Sequence, residues 1–342
     1  MAKVTLHKEQ TSYVEVGIIK YPGYLESSVL GLTELFTVAN RFVTSDMNAQ
    51  HPIIRVTHWE GSPRNPRHIQ RTFDSHQGAR HAAPRILIAP ASLARPIAQE
   101  EAAPYAAWLN RLHAHGSILT SVCGGAFLLA EAKLLNGRSA TTHWYYADAL
   151  RERYPAVNVQ VEKIVIDDGD IITAGGMTAW TNLGILLIHK LLGSAVTLET
   201  ARFMLVDPSG REQSSYSHFS PRLDHGDGEI LKVQHWLQKN ACRNVNLAKM
   251  AKISGLEMRT FIRRFRKATA LTPTEYCQQM RIEKAQEMLV LTNHSVERVS
   301  WTVGYEDPAS FRRVFKKIVN LAPKEYRSLF QVRSLDKRQN HT

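Results

Sequence analysis

Two groups of residues in this 342-residue chain have the types and spacing to do chemistry. The first centres on Cys123, in the run Ser117-Ile-Leu-Thr-Ser-Val-Cys-Gly-Gly-Ala-Phe-Leu-Leu-Ala. A strand-like stretch precedes the cysteine and a helix-like stretch follows it, so Cys123 sits on a sharp strand-to-helix turn and projects from a sheet edge. Its thiol there feels the positive end of the helix dipole, which favours the reactive thiolate. Gly124 and Gly125 permit the tight backbone and leave amides open to cradle an oxyanion or carboxylate. His143, at the end of the next predicted strand, is the candidate partner of the thiol. Trp144, Tyr145 and Tyr146 follow it directly, and aromatic faces can enclose a quaternary ammonium group. Cys123, Gly124, Gly125, His143 and Trp144 are therefore the candidate ligand site, with Cys123 and His143 the catalytic pair if the site turns over.

The second group is a repeat. Phe261, Phe265, Pro273 and Tyr276 have the spacing F-x3-F-x7-P-x2-Y, and Phe311, Phe315, Pro323 and Tyr326 repeat it fifty residues later. Lys267 and Lys317, Leu271 and Leu321, and Glu275 and Glu325 keep the same offset. Before each copy lies a short apolar-patterned helix ending at a glycine, Leu247–Ser254 before Gly255 and Val296–Val303 before Gly304. Short helix, glycine turn and second helix make a helix-turn-helix, present twice. The Phe pair buries one face of each second helix, and the start of that helix is the part that enters a DNA major groove. Arg259, Thr260, Arg263 and Arg264 in the first copy, and Ala309, Ser310, Arg312 and Arg313 in the second, are the candidate DNA-contacting residues. Arg259 with Arg263, and Ser310 with Arg313, share a face suited to base reading, whereas Lys316 and Lys317 suit phosphate. Asp307 is placed to cap the second copy's recognition helix, with Pro308 at its first position. Tyr276–Leu291 reads as one helix joining the two motifs.

The elements that must position these groups differ in charge. Residues 226–342 carry 22 Lys and Arg against 11 Asp and Glu, a net +11, while residues 1–225 are near neutral at +1. A basic half of this kind suits a polyanion. With 44% hydrophobic and 22% charged residues the chain is globular rather than disordered. No run approaches about 18 uninterrupted apolar residues, so no membrane partner is expected. The N-terminus has no apolar leader region, and three scattered cysteines make no disulfide framework, which points to the cytoplasm. His113/His115 and His218/His225 do not form a metal-binding pattern, there is no phosphate loop, and neither a metal nor another cofactor is expected.

Residues 1–206 alternate strand and helix: strands at Val14–Ile19, Arg85–Ala89, Ser117–Ser121 and Ser139–Thr142, helices at Ser27–Phe42, Pro96–His113, Gly124–Leu135, Thr178–Leu192 and Ala195–Val206. Val159–Ile166 and Asp170–Thr173 form a hairpin around Asp167-Asp168-Gly169. This is an α/β domain with a mostly parallel sheet and helices on both faces. Arg64–Arg85 reads as a long loop or an edge strand. Residues 207–228 are polar and rich in Ser, Gly and Pro, a linker. Residues 229–330 are all-α, and 331–342 form a polar tail.

Residues 229–330 resemble the DNA-binding domain of AraC-type transcription regulators, in both helix-turn-helix units and in the closing L-x-P-x-E-Y motifs. Ala270 and Asn320 stand where that family commonly has glycine. Thr120–Trp144, with Ala174-Gly-Gly-Met and the N-terminal strand–helix unit, resembles the DJ-1/PfpI branch of the class I glutamine-amidotransferase-like fold, in the version found in GlxA-like regulators. The resemblance implies a flavodoxin-like sensing and dimerising domain joined to a double helix-turn-helix. It implies double-stranded DNA, a small-molecule effector (an amino acid, amine or quaternary ammonium compound), a homodimer and RNA polymerase as partners. In enzymes of this superfamily a carboxylate from the first helix region supports the Cys–His pair. Its equivalent here falls near Ser27–Ser28, with Glu26 only close by, so a non-enzymatic sensor is expected. The alternatives are a cysteine-dependent amidase or deglycase-like enzyme with a DNA-binding tail, and a constitutive DNA-binding protein whose α/β domain only dimerises.

Overall fold

The computed structural model describes residues 12–45, 52–62, 65–77, 83–93, 95–206, 213, 219, 221–240, 242 and 245–331. The chain divides into two compact units, Met1–Gln213 and Ser214–Thr342. Most of the linker segment and the tail from Val332 lie outside the described residues.

In the first unit the order is β1 (Tyr13–Lys20), α1 (Glu26–Ser45), β2 (Ile53–Ser62), β3 (Asn65–Asp74), β4 (Ile86–Ala89), α2 (Gln99–Ala114), β5 (Ile118–Val122) and α3 (Ala126–Glu131). There follow β6 (Ser139–Ala140), α4 (Ala147–Arg153), β7 (Asn158–Val159), β8 (Val165–Asp167), β9 (Ile171–Ala174) and α5 (Trp180–Met204). Seven strands form one sheet in the order β3-β2-β1-β4-β5-β9-β8. Its five inner strands run parallel, with β3 and β8 antiparallel at the edges. The inner strands are largely apolar because both faces are covered, with Glu15, Arg55, Thr57 and His58 as buried polar exceptions on β1 and β2. One core packs Val16, Ile18, Ile86 and Ile88 against Leu32, Leu35 and Phe36 of α1 and Leu183, Leu187 and Ile188 of α5. The other packs Ile19, Leu87 and Leu119 against Tyr105, Trp108 and Leu109 of α2 and Phe127 and Leu128 at the start of α3.

Two expectations need correction. The strand expected at Ser139–Thr142 does not join the main sheet; only Ser139 and Ala140 are strand, pairing with β7 alone. The helix expected from Gly124 to Leu135 is a 3-10 turn at Cys123–Gly125 and a short α3. The two C-terminal helices are present as expected: the run labelled α5 is two helices meeting at Gly193, whose φ of 78° breaks the helical path. The unassigned Arg64–Arg85 stretch contains the edge strand β3.

The second unit is α6 (Gly228–Lys239), α7 (Leu247–Ser254), α8 (Met258–Thr269), α9 (Pro273–Leu291), α10 (Val296–Thr302), α11 (Pro308–Val319) and α12 (Pro323–Phe330). Each copy of the repeat builds its own core. Phe261 meets Phe265 edge-to-face at 5.5 Å and Phe265 meets Tyr276 edge-to-face at 5.3 Å; Phe311, Phe315 and Tyr326 repeat the chain at 5.6 Å each. Helix α9 serves both, giving Tyr276 and Cys277 to the first core and Ile282, Ala285 and Leu289 to the second. At 1.5 Å per residue its 19 residues are a spacer of roughly 28 Å.

Candidate ligand site and nucleic-acid interface

Cys123 directly follows β5 with φ at 53°, the left-handed region that a residue with a side chain enters only when its surroundings hold it there. A Cβ on Gly125 would lie 2.3 Å from the carbonyl oxygen of Ala89, so only glycine lets the turn press against the end of β4. Thr142 Oγ1 donates to the Cys123 carbonyl at 2.7 Å, pulling the segment after β6 over the turn. Backbone N–H groups of Gly124, His143 and Ser92 face the sulfur.

The thiol itself is fully buried. Burial pushes it up to about 12, outweighing those three donors, so Cys123 is a neutral thiol. That corrects the expectation of a dipole-stabilised thiolate: α3 starts three residues later and is only six residues long. The Cys–His pairing is corrected as well. His143 Nδ1 accepts from the Tyr145 N–H at 3.1 Å, and it is the His143 main chain, not the ring, that faces the sulfur. Burial lowers the imidazole's proton affinity. The ring lies 5.2 Å from Trp144 and 5.8 Å from Tyr146, with Tyr145 outermost and exposed.

Around the turn the acid is replaced by hydroxyls. Glu26 accepts from the Tyr24 hydroxyl at 3.0 Å on the surface. Ser28, Ser92 and Ser121 are fully buried; among the described residues the hydroxyls of Ser28 and Ser121 have no hydrogen-bond partner, while Ser92 lies beside the Tyr21 hydroxyl. Sequence reasoning missed Ser92 and Ser121, because an isolated serine carries no signal until the fold brings it to the site. The histidines considered for metal have other roles: His113 bonds Asp170 at 2.7 Å, His115 the Arg111 carbonyl at 2.7 Å, and His225 the Gln234 amide oxygen at 2.7 Å. His218 lies outside the described residues.

In the second unit Asp307 caps α11 as its sequence suggests, accepting from Ala309 and Ser310 N–H at 2.9 Å each, with Pro308 at the first position. Arg259 and Arg263 are exposed on one face of α8, and Ile262, Arg266 and Lys267 complete a concave basic strip with them. Arg266 was missed, although its place seven residues after Arg259 puts it on that face. Arg264 points away from it. Its guanidinium bonds both carboxylate oxygens of Asp227, at 2.7 and 3.0 Å, tying α8 to the cap of α6. Arg312 likewise pairs with Glu297 of α10. Thr260 is half-buried beside Phe261, while Ala309, Arg312 and Arg313 are exposed and Ser310 half-buried at the start of α11.

Comparison with known proteins covers both units. Residues 67–190 match the DJ-1/PfpI family and residues 250–328 a helix-turn-helix domain. The chain therefore joins a DJ-1/PfpI-type domain to a helix-turn-helix domain, and it is similar to transcriptional regulators. Such regulators include the transcriptional regulator CdhR of Pseudomonas aeruginosa, 28% identical over 66% of this chain and 68% of that protein. They also include GlxA of Rhizobium meliloti, 26% identical over 63% of this chain and 66% of that protein. An enzyme shares part of the match: isonitrile hydratase of Pseudomonas putida is 40% identical over 81 residues, 23% of this chain and 34% of the enzyme. In this chain the thiol is neutral, His143 turns its Nδ1 to the Tyr145 N–H, and Glu26 lies at the surface.

Proposed function

We propose that this protein is a cytoplasmic, homodimeric transcription factor of the AraC type. Its DJ-1/PfpI domain senses a small metabolite beside Cys123, Gly124, Gly125, His143 and Trp144. Its two helix-turn-helix motifs read double-stranded DNA in successive major grooves through Arg259, Thr260 and Arg263 on α8 and Ala309, Ser310, Arg312 and Arg313 on α11. Arg264 acts there by fixing α8 rather than by touching bases. RNA polymerase is the further partner. The observation that carries the reading is the duplicated recognition helix, each copy with its Phe pair buried and with exposed arginines, Arg259 and Arg263 in the first and Arg313 in the second. The effector class is an amino acid, amine or quaternary ammonium compound, supported by the aromatic group at residues 144–146.

The test is selection of DNA from random sequence by the full chain, followed by binding at two salt concentrations. A selected fragment bound at least a hundredfold above random DNA, with affinity falling as salt rises, is the expected result. Equal affinity for selected and random DNA would contradict sequence-specific reading. The hydratase relative favours one second reading, a cysteine-dependent hydratase or amidase. Measurable turnover of an isonitrile or amide, lost in Cys123→Ser, is its signature.

A further inference from the structure

Gln213 belongs by sequence to the polar stretch between the units, yet it is 2% exposed. Its backbone N–H donates to Glu162 O at 2.9 Å. Its side-chain Nε2 lies 3.0 Å from Thr141 Oγ1, 2.9 Å from Thr142 O and 2.9 Å from Lys163 O, and its Oε1 accepts from the Trp144 N–H at 3.3 Å. The amide therefore fills a slot between the 141–144 segment, the 162–163 loop and Gly175. A Cβ on Gly175 would lie 1.9 Å from Nε2, so that glycine is what leaves room for the glutamine.

The slot is one wall of the candidate ligand site. Thr142 bonds Gln213 through its carbonyl and Cys123 through its hydroxyl, and Trp144 bonds Gln213 through its amide while flanking His143 with its ring. The first unit ends at this residue. Phe219, six positions on, already belongs to the second unit, packing on Tyr276 at 5.1 Å and donating its N–H to Glu283 at 2.9 Å. One glutamine thus holds the chain that enters the DNA-binding unit to the backbone of the site.

We propose that Gln213 is a latch, a positioning residue whose docking and release are linked to occupancy of the Cys123–Trp144 site and thereby set how the DNA-binding unit engages DNA. The inference rests on the regulator reading above. Its chemistry is two-state. Docked, the amide bonds the Thr142 carbonyl and the Trp144 N–H and joins the Thr141 hydroxyl at the Lys163 carbonyl; released, it gives up all of these bonds together. An effector that contacts the 141–144 segment binds the two states unequally, which is the condition for a ligand to shift an equilibrium. The linkage is reciprocal, so breaking the latch shifts DNA binding without any effector present.

The experiment uses full-length wild type, Gln213→Ala, Gln213→Glu and a control, Ile188→Val, which weakens the α/β core away from the slot. The glutamate keeps the shape but cannot donate to the two carbonyls. Amide exchange of residues 141–146 is followed by mass spectrometry, and affinity is measured for a DNA fragment selected by the wild type. Both Gln213 variants are expected to speed exchange in that segment at least tenfold and to shift DNA affinity at least fivefold, while the control stays within twofold. Fast exchange with DNA affinity within twofold of wild type overturns the linkage. Unchanged exchange overturns the latch itself, and a control that shifts affinity as much as the Gln213 variants reduces the effect to general destabilisation and overturns it too. Absence of selective DNA binding by the wild type is a separate outcome, which brings down the regulator reading and the linkage with it. Where Gln213→Ala and Gln213→Glu unfold the first unit, Gln213→Asn, which keeps the amide one methylene short of its acceptors, serves for the same comparison.

Discussion

His58 stacks on Phe73 with ring centroids 4.4 Å apart, and its Nε2 meets Thr33 Oγ1 at 2.9 Å. Burial lowers its pKa from the usual value to about 4. The unfolded chain then takes up a proton as pH falls through about 6.5, while the folded chain resists until about 4. The stability His58 confers is complete above pH 6.5 and disappears as pH falls from there to 4. About 2 kcal/mol should be lost by pH 5, read by urea unfolding of the first unit at pH 7 and 5. In His58→Gln that difference should shrink to the part left by His143, whose imidazole burial also disfavours protonating; an unchanged difference would assign it elsewhere. Asp74, held down to about 2 by Arg55, acts in a separate window below pH 4. Cys123 supports a second residue-scale prediction. With its thiol near 12 it holds about a thousandfold less thiolate at neutral pH than an ordinary cysteine. Iodoacetamide should therefore modify it at least a hundredfold more slowly than a free thiol, and a rate near that of free cysteine would contradict the buried neutral state. The sharp turn at Cys123 was legible in the sequence, since strand, glycines and helix pattern lie side by side. The state of its thiol was not, because the groups that bury it come from Ser92 and Thr142, far along the chain.

Among the elements, the two recognition helices end alike, with Ala270 and Asn320 both left-handed at φ 61°. Asparagine enters that region at little cost, whereas alanine pays roughly 1–2 kcal/mol for its Cβ. Ala270→Gly should therefore stabilise the second unit by about 1 kcal/mol, and Asn320→Gly by much less, in guanidinium melts. Equal gains at both positions would show that the strain is not at Ala270. The helices also separate reading from support. Arg263→Ala should cost roughly 1–3 kcal/mol on the selected DNA and relax preference at one or two base pairs. Arg264→Ala should instead lower the melting point of the second unit and weaken selected and random DNA in the same proportion, since Arg264 is held by Asp227. Fluorescence anisotropy against both DNAs distinguishes them, and a preference relaxed by Arg264→Ala would return that residue to the reading face. The repeat was legible because aromatic spacing survives in linear sequence. Its polar pairings, such as Arg264 with Asp227 across 37 positions, depend on helix rotation and were not. Strand β2 escaped notice for a related reason. Arg55, Thr57 and His58 interrupt its apolar run, and they are buried only because Glu15, Asp74 and Thr33 receive them.

At the scale of the whole molecule, the boundary between the units is set by a few residues that composition alone assigns to a linker. Gln213 is built into the first unit, and the second begins before its first helix. Gln234 of α6 is fully buried, with its Nε2 donating to Arg222 O at 2.9 Å and its Oε1 meeting His225 Nε2 at 2.7 Å. Phe219 closes the same core against Tyr276. A polar segment with no periodicity gives no hint of this, because each contact is made by one residue to a helix far along the chain. The consequence is measurable. Residues 214–342 and 226–342 should both bind DNA, since both keep α8 and α11, and the salt dependence of their binding should be the same. The shorter fragment loses the Phe219–Tyr276 contact, worth about 0.5–1.5 kcal/mol, and leaves the Gln234 amide buried without two of its partners, costing about 1–3 kcal/mol. It should therefore be less stable by about 2–4 kcal/mol, a large part of what a domain this size has. Guanidinium unfolding of the two fragments reads that difference directly. Superimposable melts would show that residues 214–225 contribute nothing to the fold, and would return the whole segment to the role of a linker.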